Sequence, residues 1–199
     1  MTTLPSGIES CPVADEISAD FPGIGLLTCV VATSKTSSAG VVEELDLLAQ
    51  RLNGPKAVHV ATEPVAAAYR ALRAGLGLDP DSGEASVEAI VRRRLIEGGY
   101  RSSGQPNDAI TITTLETGVP IQAFASHDGR WSLGIDPVTN AVALLCGGEM
   151  AAPVFGDPSA SYEYDRGSPS SRLLAVVAPG VMPELVGLAL DRTRDLSKS

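Results

Sequence analysis

The chain has 199 residues, of which 44% are hydrophobic and 20% charged, and its formal net charge is −9. That is the size and balance of one globular domain with a sizeable core, which excludes a disordered chain. The acidic balance argues against a stable polyanion-binding surface, because phosphate contacts draw their affinity from basic faces and counterion release.

Aromatic residues are scarce at 4%, so the core must be built from Val, Leu, Ile and Ala. Twenty glycines and fourteen prolines predict frequent turns and favour strands over a helical bundle. Cys11, Cys29 and Cys146 are widely spaced and form no CxxC pair, which reads as three reduced thiols. The acidic N-terminus has no signal-peptide pattern, and no apolar run approaches the ~20 residues of a membrane span. The expected setting is cytoplasmic, with no membrane partner.

In chain order, Met1 to Asp20 reads as a loose lead-in, and residues 21–199 as a single domain. Ile24 to Ala32 is a continuous apolar run suited to a strand buried on both faces. Thr33 to Ser38 is a loop. Val41 to Leu52 has helical spacing and stops at Asn53-Gly54-Pro55. Ala57 to Val60 is a short strand candidate containing His59. Pro64 opens a helix over Glu63 to Gly75, and a turn-rich link follows to Ala85. Ser86 caps the next helix, which ends at Gly98-Gly99.

Beyond that point the spacing predicts strands over Ile110–Leu115, Ile121–Phe124, Trp131–Ile135, Ala141–Leu145 and Leu173–Val177. A closing helix runs from Pro183 to about Asp195, with Leu185 and Leu188 as apolar anchors. Strands after helices, then one last helix, predict an α+β fold.

Standard catalytic signatures are absent: there is no GxSxG elbow, P-loop, GxGxxG after a strand, or HExxH. With only His59 and His127, a histidine-rich metal site is excluded. His59 reads as a core histidine and His127 as a polar turn residue. No cofactor is expected, and no metal.

Several short motifs follow one another in a telling order. They are Ala68-Tyr69-Arg70, Gly77-Leu78-Asp79-Pro80, Ser86-Val87-Glu88-Ala89-Ile90-Val91-Arg92-Arg93, and then Asp108 through Gly118-Val119-Pro120. Gly148-Glu149 and Tyr164-Asp165 come later. This succession resembles the amino-acid editing module of the phenylalanyl-tRNA synthetase beta chain, its B-domains 3 and 4, in a free-standing form. The likeness covers most of residues 24–178.

The resemblance implies β-sandwich-like mixed sheets flanked by helices, with a metal-free pocket between two sub-domains. There the ester of a wrongly attached amino acid is hydrolysed. It implies a substrate-binding set of Asp108, Thr111, Thr113, Gln122 and Glu149, with Arg92 and Arg93 contacting tRNA. No catalytic residue is assigned. Thr111 stands where the family has Asn and Gln122 where it has His. Both keep hydrogen-bonding ability, but an amide cannot act as a general base. The family's Glu that reads the tyrosine hydroxyl aligns with Leu173-Leu174-Ala175-Val176, which has no carboxylate.

The same residues admit plainer readings. Thr111, Thr113 and Thr114 suit any strand, Asp108 suits a turn, Gly148-Glu149 suits a turn with a solvated acid, and Arg92 to Arg94 spread around a helix. Three functions remain open on these residues. One is an editing-type hydrolase of aminoacyl-tRNA. Another is a small-molecule enzyme that reuses the pocket without tRNA. The last is a non-catalytic amino-acid-binding protein. The expected partner is an amino acid or an aminoacyl-tRNA end.

Overall fold

The computed structural model describes residues 4–52, 62–80 and 86–198. The strand candidate at Ala57–Val60, with His59, lies outside the described residues. The fold is mixed α+β, with six helices and two antiparallel sheets among the described residues and no barrel.

The first sheet is ordered β1 (Glu9–Cys11), β2 (Gly25–Ala32), β7 (Ser170–Val177), β3 (Gln122–Ala125). The second is the meander β4 (Trp131–Ile135), β5 (Val142–Cys146), β6 (Glu149–Pro153). All ladders within these sheets are antiparallel, which corrects the expectation of mixed sheets. Leu26 through Cys29 of β2 are all buried, as the apolar run predicts.

Antiparallel register decides which side chains share a face. Leu174 of β7 lies opposite Thr28 of β2 and Gln122 of β3, and Arg172 lies opposite Val30 and Phe124. Phe124 packs on Trp131 of β4 at 5.1 Å between ring centroids, which joins the two sheets through one aliphatic and aromatic core.

Helices enclose the first sheet. α6 (Pro183–Leu196) packs on β2, β7 and a central helix, α5 (Asn107–Thr117). Its buried anchors are Val186, Ala189, Leu190 and Thr193. Leu185 is partly buried against the core, whereas Leu188, expected as an anchor, is exposed. α2 (Ala39–Arg51) and α4 (Val87–Glu97) also pack on α5. α3 (Pro64–Gly75) places Tyr69 in the core, where its hydroxyl donates to the Val176 carbonyl at 2.6 Å.

Three segments depart from expectation. β6 forms where the sequence reading placed no strand. The lead-in is not loose, because β1 pairs with β2, α1 (Asp15–Asp20) follows, and Ile8 and Ile17 enter the core. More important, Asn107–Thr117 is a helix rather than a strand. Its apolar and β-branched residues are buried nearly all round, so no amphipathic period marks it in the sequence. The threonines fit the helix by bonding backward: Thr111 Oγ1 donates to the Asn107 carbonyl and Thr117 Oγ1 to the Thr113 carbonyl. Gly118, at φ 73°, ends it in the left-handed conformation and donates to the Thr114 carbonyl.

Candidate functional site

A cleft of about 320 Å³ opens where α4, α5, β3 and the loop after β6 meet. The helical form of residues 107–117 decides what faces it. Asn107, Ile110 and Thr111 lie three and four residues apart, so they share one side of α5, and all three line the cleft. Asp108, Ile112 and Thr113 are buried and do not line it. Ile90 and Arg93 come from α4, while Ile121, Gln122 and Ala123 come from the start of β3.

The last wall is a loop. Phe155 has φ 60°, a left-handed backbone that a bulky aromatic residue adopts only where its surroundings enforce it. Its ring meets Tyr69 edge-on at 6.2 Å, and the Arg73 guanidinium lies over it at 5.1 Å. This turn carries Gly156, Asp157 and Pro158 to the cleft, and Glu163 and Tyr164 follow from the same loop.

Hydrogen bonds close the loop onto the helix and strand. Gln122 Nε2 donates to the Gly156 carbonyl at 2.7 Å. The Tyr164 hydroxyl donates to Asn107 Oδ1 at 2.5 Å. Burial pushes the Tyr164 phenol up from its ordinary value, so it stays a neutral donor. These bonds leave a distinct set of unused groups at the cleft: Gln122 Oε1 and Thr111 Oγ1 as acceptors, Asn107 Nδ2 as a donor. The exposed carboxylates of Asp157 and Glu163 and the exposed guanidinium of Arg93 supply the charge.

Of the residues expected from the sequence, Thr111, Gln122 and Arg93 meet in this cleft. Thr113 is fully buried on α5, with no partner for its hydroxyl. Arg92 is exposed on α4 and does not line the cleft. Gly147 and Gly148, at φ 62° and 90°, form the two-residue turn between β5 and β6, and Glu149 begins β6 exposed and away from the cleft. His127 lies in the loop between β3 and β4, with its Nε2 2.9 Å from the Ser161 carbonyl oxygen and its ring packed on Tyr162.

Asp108 has a structural task. Its carboxylate accepts from the hydroxyls of Ser37 at 2.7 Å, Ser102 at 2.5 Å and Ser103 at 3.2 Å. It also accepts from the backbone N–H groups of Ser103 at 2.8 Å and Gly104 at 3.4 Å. A buried carboxylate with this many donors fixes the 102–104 loop at the N-terminal end of α5, where negative charge is also favoured by the helix dipole.

Asn107, Asp157 and Glu163 escaped the sequence reading. Tyr164 was visible as part of a motif without a role. The available signal was Gly156-Asp157-Pro158, a turn sequence close to Tyr164-Asp165.

Among the described residues no three His, Cys, Asp or Glu side chains form a metal-holding group, and no helix is long and apolar enough to cross a membrane. Comparison with known proteins finds no matching family model, no matching curated protein and no matching solved structure.

Proposed function

We propose that this chain is an editing-type domain whose cleft holds the aminoacyl end of an ester and hydrolyses it with a positioned water. One observation carries the reading: Arg93 of one motif, Thr111 of the next and Gln122 just after its Gly-Val-Pro turn line a single cleft.

The free groups match an amino acid. Thr111 Oγ1, Gln122 Oε1 and the Asp157 and Glu163 carboxylates are acceptors suited to an α-ammonium group. Asn107 Nδ2 is a donor suited to the ester carbonyl, where charge develops as water attacks. Catalysis here would rest on positioning and oriented dipoles, since the Gln122 amide cannot take a proton. Arg93 at the mouth offers one cation to a terminal phosphate, which fits a brief encounter with RNA rather than a stable complex.

The test is deacylation. The protein is incubated with a panel of mischarged aminoacyl-tRNAs and release of the amino acid is followed; no release from any of them sinks the hydrolase reading.

A second reading, an amino-acid-binding protein or small-molecule enzyme without tRNA, is favoured by the net charge of −9. It predicts thermal stabilisation by free amino acids or simple amino-acid esters, with no effect of tRNA. A ligand present at ~100 times its dissociation constant adds ~2.7 kcal/mol.

A further inference from the structure

A second cleft, of about 310 Å³, lies between β1, β2, β7 and the turn leading into β4. Arg172 and Trp131 both line it. Arg172 is half-buried on the central strand β7, and Phe124 is its register neighbour on the same face of the sheet. Trp131 packs on Phe124, and Trp131 and Arg172 line the same cleft.

Both side chains have unspent donors. Trp131 is only 3% exposed, and its buried Nε1–H has no protein acceptor. The buried Nε of Arg172 likewise has none, and its Nη1 reaches only Thr28 Oγ1, at 3.5 Å. Thr28 in turn spends its own hydrogen on the Leu173 carbonyl at 2.8 Å. Among the described residues Arg172 makes no ion pair within 4.0 Å.

A half-buried cation without a contact ion pair and a buried N–H without an acceptor each carry a desolvation cost that an oxyanion reaching them would remove. The nearby Cys11 thiol does not supply that charge. Burial pushes it up to about 11, against the pull of Arg172, so it is neutral near pH 7.

From this geometry we infer that the second cleft is a binding site for a small carboxylate, held by Arg172 and the Trp131 indole N–H. A planar guanidinium fork matches a carboxylate, and the indole adds one directed donor. The exposed carboxylates of Glu9 and Asp128 and the exposed guanidinium of Arg130 also line the cleft, so a ligand that carries an ammonium group beside its carboxylate finds partners for both charges. This site is separate from the cleft of the proposed function and does not depend on that reading.

Trp131 is the single tryptophan of the chain, so its indole reports on this site without ambiguity. In protein labelled with 15N-tryptophan, the indole N–H resonance is followed while acetate, glycine or inorganic phosphate is added. The expected result is a saturable shift with acetate and a tighter one with glycine. In Arg172→Gln the half-saturation should rise at least about tenfold, the loss expected for a charge-assisted pair. Arg172→Lys, which keeps the charge and loses the fork, should fall between the two. The absence of a saturable shift in the unaltered protein would overturn the site, whatever the variants do. An unchanged half-saturation in Arg172→Gln would overturn the role of Arg172. A response to phosphate with none to acetate or glycine would overturn the carboxylate assignment.

Discussion

Tyr164 and Asn107 are joined by a 2.5 Å hydrogen bond across 57 residues of chain, from the loop wall of the first cleft to the first turn of α5. The bond occupies Asn107 Oδ1, so it orients the amide and leaves Nδ2 as the donor. It also helps hold a loop that is tied further by the Gln122 amide on the Gly156 carbonyl and by the Ala125 N–H on the Tyr162 carbonyl. The cleft is therefore a hydrogen-bonded assembly of helix, strand and loop, and its parts can be removed singly.

Removing the phenol hydroxyl should loosen the loop without emptying the core. Tyr164→Phe is expected to weaken binding of an amino acid or its ester by about 1 kcal/mol, the usual net worth of one hydrogen bond. Isothermal titration would measure it, and an unchanged affinity would show that the loop tether does not shape the cleft.

Thr111→Val and Gln122→Ala each delete an acceptor proposed to face the α-ammonium group. Each should reduce ligand affinity roughly tenfold, about 1.4 kcal/mol, with the melting temperature of the unliganded protein little changed for Thr111→Val. A thermal-shift titration against amino acids and their esters gives both readouts. Unchanged ligand stabilisation in both variants would remove this cleft as the ligand site.

Asp108 should behave as a stability residue. Asp108→Ala leaves the donors of Ser37, Ser102, Ser103 and Gly104 without their acceptor in a buried place, a cost of about 3 kcal/mol. The urea midpoint should fall at an unchanged slope. A midpoint equal to that of the unaltered protein would contradict the assigned task.

Gly104 tests the same loop from the backbone side. It has φ 87°, and a Cβ there would lie 2.5 Å from the Ser34 carbonyl oxygen and 2.7 Å from that of Lys35. Both contacts are with backbone, which cannot swing away. Gly104→Ala is expected to destabilise by about 2 kcal/mol or more, combining the left-handed backbone with the clash. Chemical denaturation would show it.

Alkaline pH should weaken the fold through Cys29. Burial pushes this thiol up to about 11, with Arg194 and Arg172 drawing it down and Asp191 pushing it up. In the unfolded chain a thiol loses its proton near pH ~8.5. Between those values the unfolded state binds fewer protons than the folded state, so stability falls as pH rises through the window. Cys29→Ala should flatten that decline when urea midpoints are compared at about pH 8 and about pH 10.5.

Local chemistry in the sequence was enough to locate most elements. Pro64 and Pro183 stand at helix starts, Ser86 accepts from the Ala89 N–H, and Gly98 ends α4 at φ 79°. These signals act over a few residues and survive in any tertiary setting. The apolar run of β2 was equally plain, because its Leu26 to Cys29 stretch is buried on both faces and needs no polar alternation, although Val30 beyond it is exposed.

Residues 107–117 were another matter. Thr111, Thr113 and Thr114 have strand preferences, and Ile110 and Ile112 alternate like a strand. The helix prevails because α2, α4 and α6 surround it, and because Asp108 collects the donors of the preceding loop. Burial nearly all round erased the period that would have announced it. By itself the sequence determined an α+β chain, the ends of most helices, and the motifs bearing Arg93, Thr111 and Gln122. Only the tertiary structure decided that Thr111 faces a cleft while Thr113 does not, since the two share a face in a strand but not in a helix. It also brought Asn107 to Tyr164 and Arg172 to Trp131, contacts between segments far apart in the chain that no local pattern encodes.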